Sequence, residues 1–128
     1  YAHHPTEISS VLSGVENVYK NKEIVCIFQP HRVSRLISLR KEFSKCFKKA
    51  DTVLLCPIYT ANEKLRLNFT YHSFAKLIIK NSNVRLIQVE DELQLQKFIK
   101  QNVFGKKIYI GMGAGSISNW MKNLENIF

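Results

Sequence analysis

Two short strings concentrate the reactive side chains of this chain: Tyr1-Ala2-His3-His4-Pro5-Thr6-Glu7, and Phe28-Gln29-Pro30-His31-Arg32-Val33-Ser34-Arg35 further along. The second offers the plainer chemistry. Arg32 and Arg35 stand three residues apart, so they share a face if a helix has begun by Arg32. Two guanidinium forks on one face can clamp a carboxylate or phosphate through paired hydrogen bonds. A helix N-terminus beside them adds partial positive charge and open N–H groups. An anion site is one reading of this spacing; a pair of surface arginines capping a neighbouring carbonyl is the other. Pro30 has no N–H to give to a ladder, so a strand leading into the string ends there.

The pair His3-His4 is less specific. Adjacent histidines serve as metal ligands, as an acid/base pair or as ordinary loop residues. Zinc needs a third and fourth ligand. The other histidines are His31 and His72, and no Cys or Asp stands at ligand spacing, so no metal site is expected. The pair gains interest only if His31 and the arginines emerge at the same edge of a sheet. A third string, Gly111-Met112-Gly113-Ala114-Gly115, follows an apolar run and opens a helix, which is half of the dinucleotide fingerprint. The other half needs an acidic residue about 20 positions on, in a second βαβ half. The 13 residues after Gly115 cannot hold it. The glycines read instead as a tight turn that lets the last helix pack closely.

The elements that must carry these strings alternate from end to end. A helix opens at Pro5, with Glu7 at the positive end of its dipole and Ile8, Leu12, Val15 and Tyr19 as its apolar stripe. Glu23–Phe28 is a nearly all-apolar strand, as expected when both faces of a sheet are covered. A second helix is expected over Val33–Lys49, with Leu36, Leu39, Phe43 and Phe47 inward and Arg40, Lys41, Lys45 and Lys48 outward. A strand over Asp51–Cys56, a loop over 57–70, a helix over 71–80 and a strand over 84–89 follow. Glu90 and Asp91 begin a helix that turns Leu95, Phe98 and Ile99 inward and stops near Gly105. The last strand is expected over Lys107–Ile110, and the last helix presents Ile117, Trp120, Met121 and Leu124. Strands separated by helices make βαβ units. The fold class is α/β: a three-layer, Rossmann-like domain with a mainly parallel sheet between helices. In such sheets ligands bind at the carboxyl ends of strands, near the topological switch point, which is where all three strings fall.

Composition sets the limits. At 128 residues and 45% hydrophobic content the chain makes one domain with a proper core. No apolar run approaches the roughly 20 residues that span a bilayer, and no signal-peptide pattern opens the chain. It starts with Tyr and with a helix, so the expectation is an excised domain, 1–128, whose first strand lies upstream. A net charge of +9 suits nucleotide and sugar-phosphate ligands as well as nucleic acid. The lysines are spread, with no basic cluster interleaved with aromatics, so neither nucleic acid nor a membrane is the expected partner. Cys26, Cys46 and Cys56 are odd in number, share no metal spacing and sit among apolar neighbours. They read as buried free thiols of a reducing, cytoplasmic compartment.

Tyr-Ala-His-His-Pro-Thr-Glu, a helix, a short strand and then Phe-Gln-Pro-His-Arg-x-Ser-Arg together resemble the C-terminal domain of the Mur ligases, most closely the muramate–alanine ligases. The closing Gly-x-Gly-Ala-Gly-Ser-Ile is similar to the end of the same domain. The likeness covers essentially the whole chain, in order. It implies a bacterial, ATP-dependent, amide-forming ligase of peptidoglycan biosynthesis with three domains. One would hold UDP-N-acetylmuramate, a central one would bind ATP and magnesium, and this one would present L-alanine. It also implies roles: Arg32 and Arg35 on the alanine carboxylate or the charged intermediate, His31 and His3 lining the catalytic pocket, Tyr1 packed near nucleotide or substrate, and His4 beside them or bracing the loop. The acidic residue that precedes the tyrosine in the family is absent here. So is any Gly-x-x-x-x-Gly-Lys-Thr string, so no ATP-phosphate cradle lies in this chain and it is not expected to turn over alone. A basic nucleic-acid-binding module and a dinucleotide oxidoreductase fragment are the alternatives.

Overall fold

The computed structural model describes residues 3–59, 71–102 and 105–127. Tyr1 and most of the loop expected over 57–70 lie outside them. The elements alternate as the sequence pattern requires: α1 (Pro5–Val18), β1 (Glu23–Gln29), α2 (Val33–Ser38), α3 (Arg40–Lys45), β2 (Thr52–Leu55), α4 (Tyr71–Ser82), β3 (Arg85–Gln88), α5 (Glu92–Gln101), β4 (Lys107–Gly113) and α6 (Ile117–Ile127). The four strands form a parallel sheet in the order β3-β2-β1-β4.

The side-chain alternation of β1 and β2 splits the core into two layers. Ile24, Cys26, Phe28, Val53 and Leu55 point to one face and pack with Ile8 and Leu12 of α1, Leu36 of α2, Phe43 of α3 and Phe74 and Ile78 of α4. Val25, Ile27, Leu54 and Cys56 point to the other and pack with Leu95 and Ile99 of α5 and Ile117 and Leu124 of α6. Strands buried on both faces are apolar throughout for this reason, and the three-layer α/β expectation holds.

Three features depart from the sequence expectation by more than a residue or two of boundary, the first two for a tertiary reason. The helix expected over Val33–Lys49 is two, broken at Leu39 (φ −110°, ψ 23°). The second stops early because Ser82 of α4 takes over its last backbone groups. The Ser82 hydroxyl donates to the Ser44 carbonyl at 2.5 Å and accepts from the Phe47 N–H at 3.2 Å. Leu36, Phe43 and Phe47 keep their inward positions across the break, so periodicity alone cannot reveal it. The last strand runs on through Gly111, Met112 and Gly113, which pair with Ile27, Phe28 and Gln29. Those two glycines are therefore strand residues. A Cβ on Gly113 would stand 2.5 Å from the Gln29 carbonyl oxygen, and its φ is +142°. Tyr19 leaves the expected stripe: it caps α1, is exposed, and has the Lys22 ammonium 5.3 Å from its ring centroid.

Cys26, Cys46 and Cys56 are buried free thiols. Burial pushes the Cys56 thiol up to about 12. It pushes Cys26 and Cys46 up as well, with a neighbouring thiol adding to each. Thiolate is the reactive form, so a thiol-specific disulfide reagent at pH 8 is expected to leave all three untouched until denaturant is added. Rapid native labelling would contradict their placement. The sign of the linkage follows. An unfolded chain sheds thiol protons near pH 8.5 while the native chain keeps them, so this contribution to stability is whole below that pH and drains away as pH rises towards the native values.

Candidate functional site

The chain winds from β1 to β2 to β3 in one direction and then returns to place β4 on the other side of β1. The switch point lies between β1 and β4, and the crevice outside their carboxyl ends is where a doubly wound sheet takes ligands. The residues around it come from the end of β1 and the segment after it (Gln29 to Arg32), from the segment after β2 (Pro57 to Tyr59) and from the β4–α6 turn (Gly113 to Ile117).

Gln29 joins all three. It is 3% exposed. Its Nε2 donates to the Ser116 hydroxyl at 2.9 Å and to the Pro57 carbonyl at 3.3 Å. Its Oε1 accepts from the backbone N–H of Ile117 at 2.9 Å. The side-chain amide has two donors and one carbonyl, and each end is used.

Past Pro30 the chain makes one further parallel bridge, between His31 and Tyr59. The Tyr59 N–H donates to the Pro30 carbonyl and the Arg32 N–H to the Tyr59 carbonyl, both at 2.8 Å. The His31 and Tyr59 rings stack with centroids 5.5 Å apart and planes 11° apart. Arg32 then adopts φ 68°, ψ 130°, a left-handed conformation that a residue with a Cβ adopts only where its surroundings over-determine it.

This corrects the helical reading of the arginines. Arg32 precedes α2, so it and Arg35 are not related by helical i, i+3 geometry, and α2 itself has six residues. Arg32 is exposed and Arg35 half-buried. The two ion pairs among the described residues, Lys49–Glu16 at 3.5 Å and Lys107–Glu23 at 4.0 Å, involve neither of them.

At the other string, His4 is the N-cap of α1. Its Nδ1 accepts from the Thr6 N–H at 3.2 Å, and Glu7 Oε1 accepts from the His4 N–H at 3.3 Å, closing a capping box. That geometry gives His4 a bracing task. His3, half-buried, precedes it. The N-terminal part of α1, with Pro5, Thr6, Ser9 and Ser10, borders a groove shared with Glu42, Lys45 and Cys46.

The sequence reading passed over two residues here. Spacing gives Gln29 no role within its string, and Tyr59 falls in an aperiodic stretch that reads as loop. Tyr59 follows β2 as His31 follows β1, and the rule that ligand sites gather at strand carboxyl ends is the signal that finds it. Of the glycine run, Gly111 and Gly113 belong to β4 and Gly115 to the turn into α6. Among the described residues no three His, Cys, Asp or Glu side chains gather as metal ligands, and no helix is long and apolar enough to cross a membrane.

No family model matches the chain. It is 65% identical over 99% of its length to a UDP-N-acetylmuramate–L-alanine ligase of Pelagibacter ubique, covering 27% of that protein. It is 38% identical over 98% of its length to the enzyme of that name from Brachyspira hyodysenteriae, covering 28%. The crystal structure of a UDP-N-acetylmuramate-alanine ligase from Thermotoga maritima superposes with a TM-score of 0.72 at 27% identity, over 99% of this chain and 25% of that one. Over nearly its whole length the chain is similar to one stretch of these ligases, and it spans about a quarter of their length. A murein peptide ligase from Psychrobacter arcticus has the same fold, with a TM-score of 0.74 at 15% identity, over 98% of this chain and 26% of that one.

Proposed function

We propose that this domain is the amino-acid-presenting part of an ATP-dependent ligase, at work in the bacterial cytoplasm, that joins L-alanine to UDP-N-acetylmuramate in peptidoglycan biosynthesis. The observation that supports the reading is Arg32, which leaves β1 at the switch-point edge in a left-handed turn; neither it nor Arg35 has an acidic partner among the described residues. A guanidinium in that position can take a carboxylate through paired hydrogen bonds.

In this scheme the muramoyl carboxylate is activated as an acyl phosphate. The amine of L-alanine gives up a proton, its nitrogen attacks the acyl carbon, the C–N bond forms and phosphate leaves. Arg32 and Arg35 hold the alanine carboxylate or the charged intermediate. His31 and His3 line the pocket and orient the amine, Tyr1 packs near nucleotide or substrate where domains meet, and His4 holds the loop through its cap. Orientation of two bound reactants is worth up to about 7–11 kcal/mol of barrier, and a domain that closes with the amino acid in place supplies it. ATP and magnesium belong to the other domains of the ligase. This chain's described residues do not form a metal-ligand cluster. The partners are the nucleotide sugar, the amino acid and the sister domains, with neither nucleic acid nor membrane engaged.

The test is phosphate release by the complete ligase from ATP, magnesium and UDP-N-acetylmuramate, with and without L-alanine. Strong dependence on L-alanine is expected. Release indifferent to every amino acid would overturn the assignment, and amide product made by the 128-residue chain alone would overturn the division of labour.

A further inference from the structure

We propose that Tyr59 is a positioning residue of this site: its ring sets the plane of the His31 imidazole, and its backbone sets the left-handed turn that presents Arg32. The inference rests on the ligase reading above and adds a residue to it.

The ring is 42% exposed and belongs to neither core layer, so burial does not account for where it is held. Three independent features hold it there. Its N–H and carbonyl are both engaged, with Pro30 on one side and Arg32 on the other. One face of the ring lies on the His31 ring, with the two planes nearly parallel. The ring also rests against Gly115, where a Cβ would stand 2.6 Å from Tyr59 Cγ. Only a residue without a side chain leaves the ring that seat. An exposed aromatic that is stacked, seated against a glycine and tied through its backbone is a support that keeps a neighbouring functional group within tight angular limits. A loose His31 or a relaxed Arg32 turn would lose orientation, and a displacement of about 1 Å can cost a hundredfold in rate.

The experiment compares Tyr59→Phe, Tyr59→Leu and Gly115→Ala in the complete ligase. Tyr59→Leu removes the stack. Gly115→Ala displaces the ring while leaving Tyr59 and His31 intact. Both are expected to raise KM for L-alanine about tenfold with KM for ATP little changed, while Tyr59→Phe restores alanine use close to the parent enzyme. In parallel, carbon-13 labelling of histidine Cε1 reads the ring-current shift of His31, assigned by His31→Gln. The shift should vanish in Tyr59→Leu, move in Gly115→Ala and persist in Tyr59→Phe. Loss of the shift with unaltered alanine kinetics overturns the proposal. So does a Tyr59→Phe defect as large as that of Tyr59→Leu, which would make the hydroxyl a direct ligand. If the parent enzyme itself ignores L-alanine, it is the ligase reading that fails. If the parent depends on L-alanine and Tyr59→Leu is indistinguishable from it, Tyr59 alone is refuted.

Discussion

Arg32→Gly, made in the complete ligase, is expected to strengthen the domain and impair its use of L-alanine together. Arg32 holds φ 68°, ψ 130°, a conformation that costs a residue with a Cβ about 1–3 kcal/mol. Glycine adopts it freely, at an unfolded-state penalty of about 0.5–1 kcal/mol. The balance is a gain of about 1 kcal/mol, read as a higher urea midpoint. The same change deletes the guanidinium. A hydrogen bond to a charged partner is worth about 1.5–3 kcal/mol, so kcat/KM for L-alanine should fall about 10- to 100-fold, with KM for ATP held. Arg32→Ala separates the two effects, since it keeps the strain and loses the fork: alanine use falls and the midpoint does not rise. Arg32→Lys keeps the charge but not the bidentate geometry and should fall between. Equal losses for alanine and ATP would reveal a general fold defect. A variant that is stabilised and fully active would sever the strained turn from the site.

That strain is also where sequence reasoning reached its limit. The alternation of Glu23–Phe28, Asp51–Cys56 and the helices between them carries the fold class, because a strand covered on both faces has to be apolar along its length. Phe28, Phe43, Phe47 and Leu95 are legible as core for the same reason. Their helical or strand period survives whatever the boundaries do. The break at Leu39 is not legible, since Ser82, nearly 40 residues on from Ser44, ends the helix through its hydroxyl. The extension of β4 through Gly111 and Gly113 is equally remote in origin, being set by pairing with β1. At the site, the strings were found by their residue types and their place after strands. Spacing then suggested helical company for Arg32 and Arg35, whereas the ladder bonds of Tyr59 hold Arg32 outside the helix. His4 as a cap was partly legible, because Glu7 three residues later is the partner a capping box requires.

Gln29→Leu is the other change expected to have a large effect, and it bears on fold and site at once. Leucine matches the volume of glutamine but makes none of its bonds. Three partners are then stranded: the Ile117 N–H, the Ser116 hydroxyl and the Pro57 carbonyl. A buried polar group left unmatched costs about 1–3 kcal/mol. Ile117 is 3% exposed, so its N–H bears nearly the full penalty, while Ser116 and Pro57 are half-buried and water reaches them in part. A loss of about 2–4 kcal/mol follows, measurable by urea unfolding. Gln29→Glu makes the sharper comparison. One carboxyl oxygen still accepts from Ile117, but the other faces the Pro57 carbonyl and clashes with it unless protonated. Burial raises the pKa of such a carboxyl above its unfolded value of about 4.3. The folded variant therefore holds a proton that the unfolded chain has released. Its stability is intact below pH 4.3 and falls as pH rises through the folded-state pKa, in a range where Gln29→Leu adds no pH dependence of its own. A Gln29→Glu profile parallel to that of the parent would mean that the amide does not donate to Pro57 in solution. Loss of stability in Gln29→Leu without a rise in KM for L-alanine would confine the clamp to the fold and leave the site to Tyr59 and the arginines.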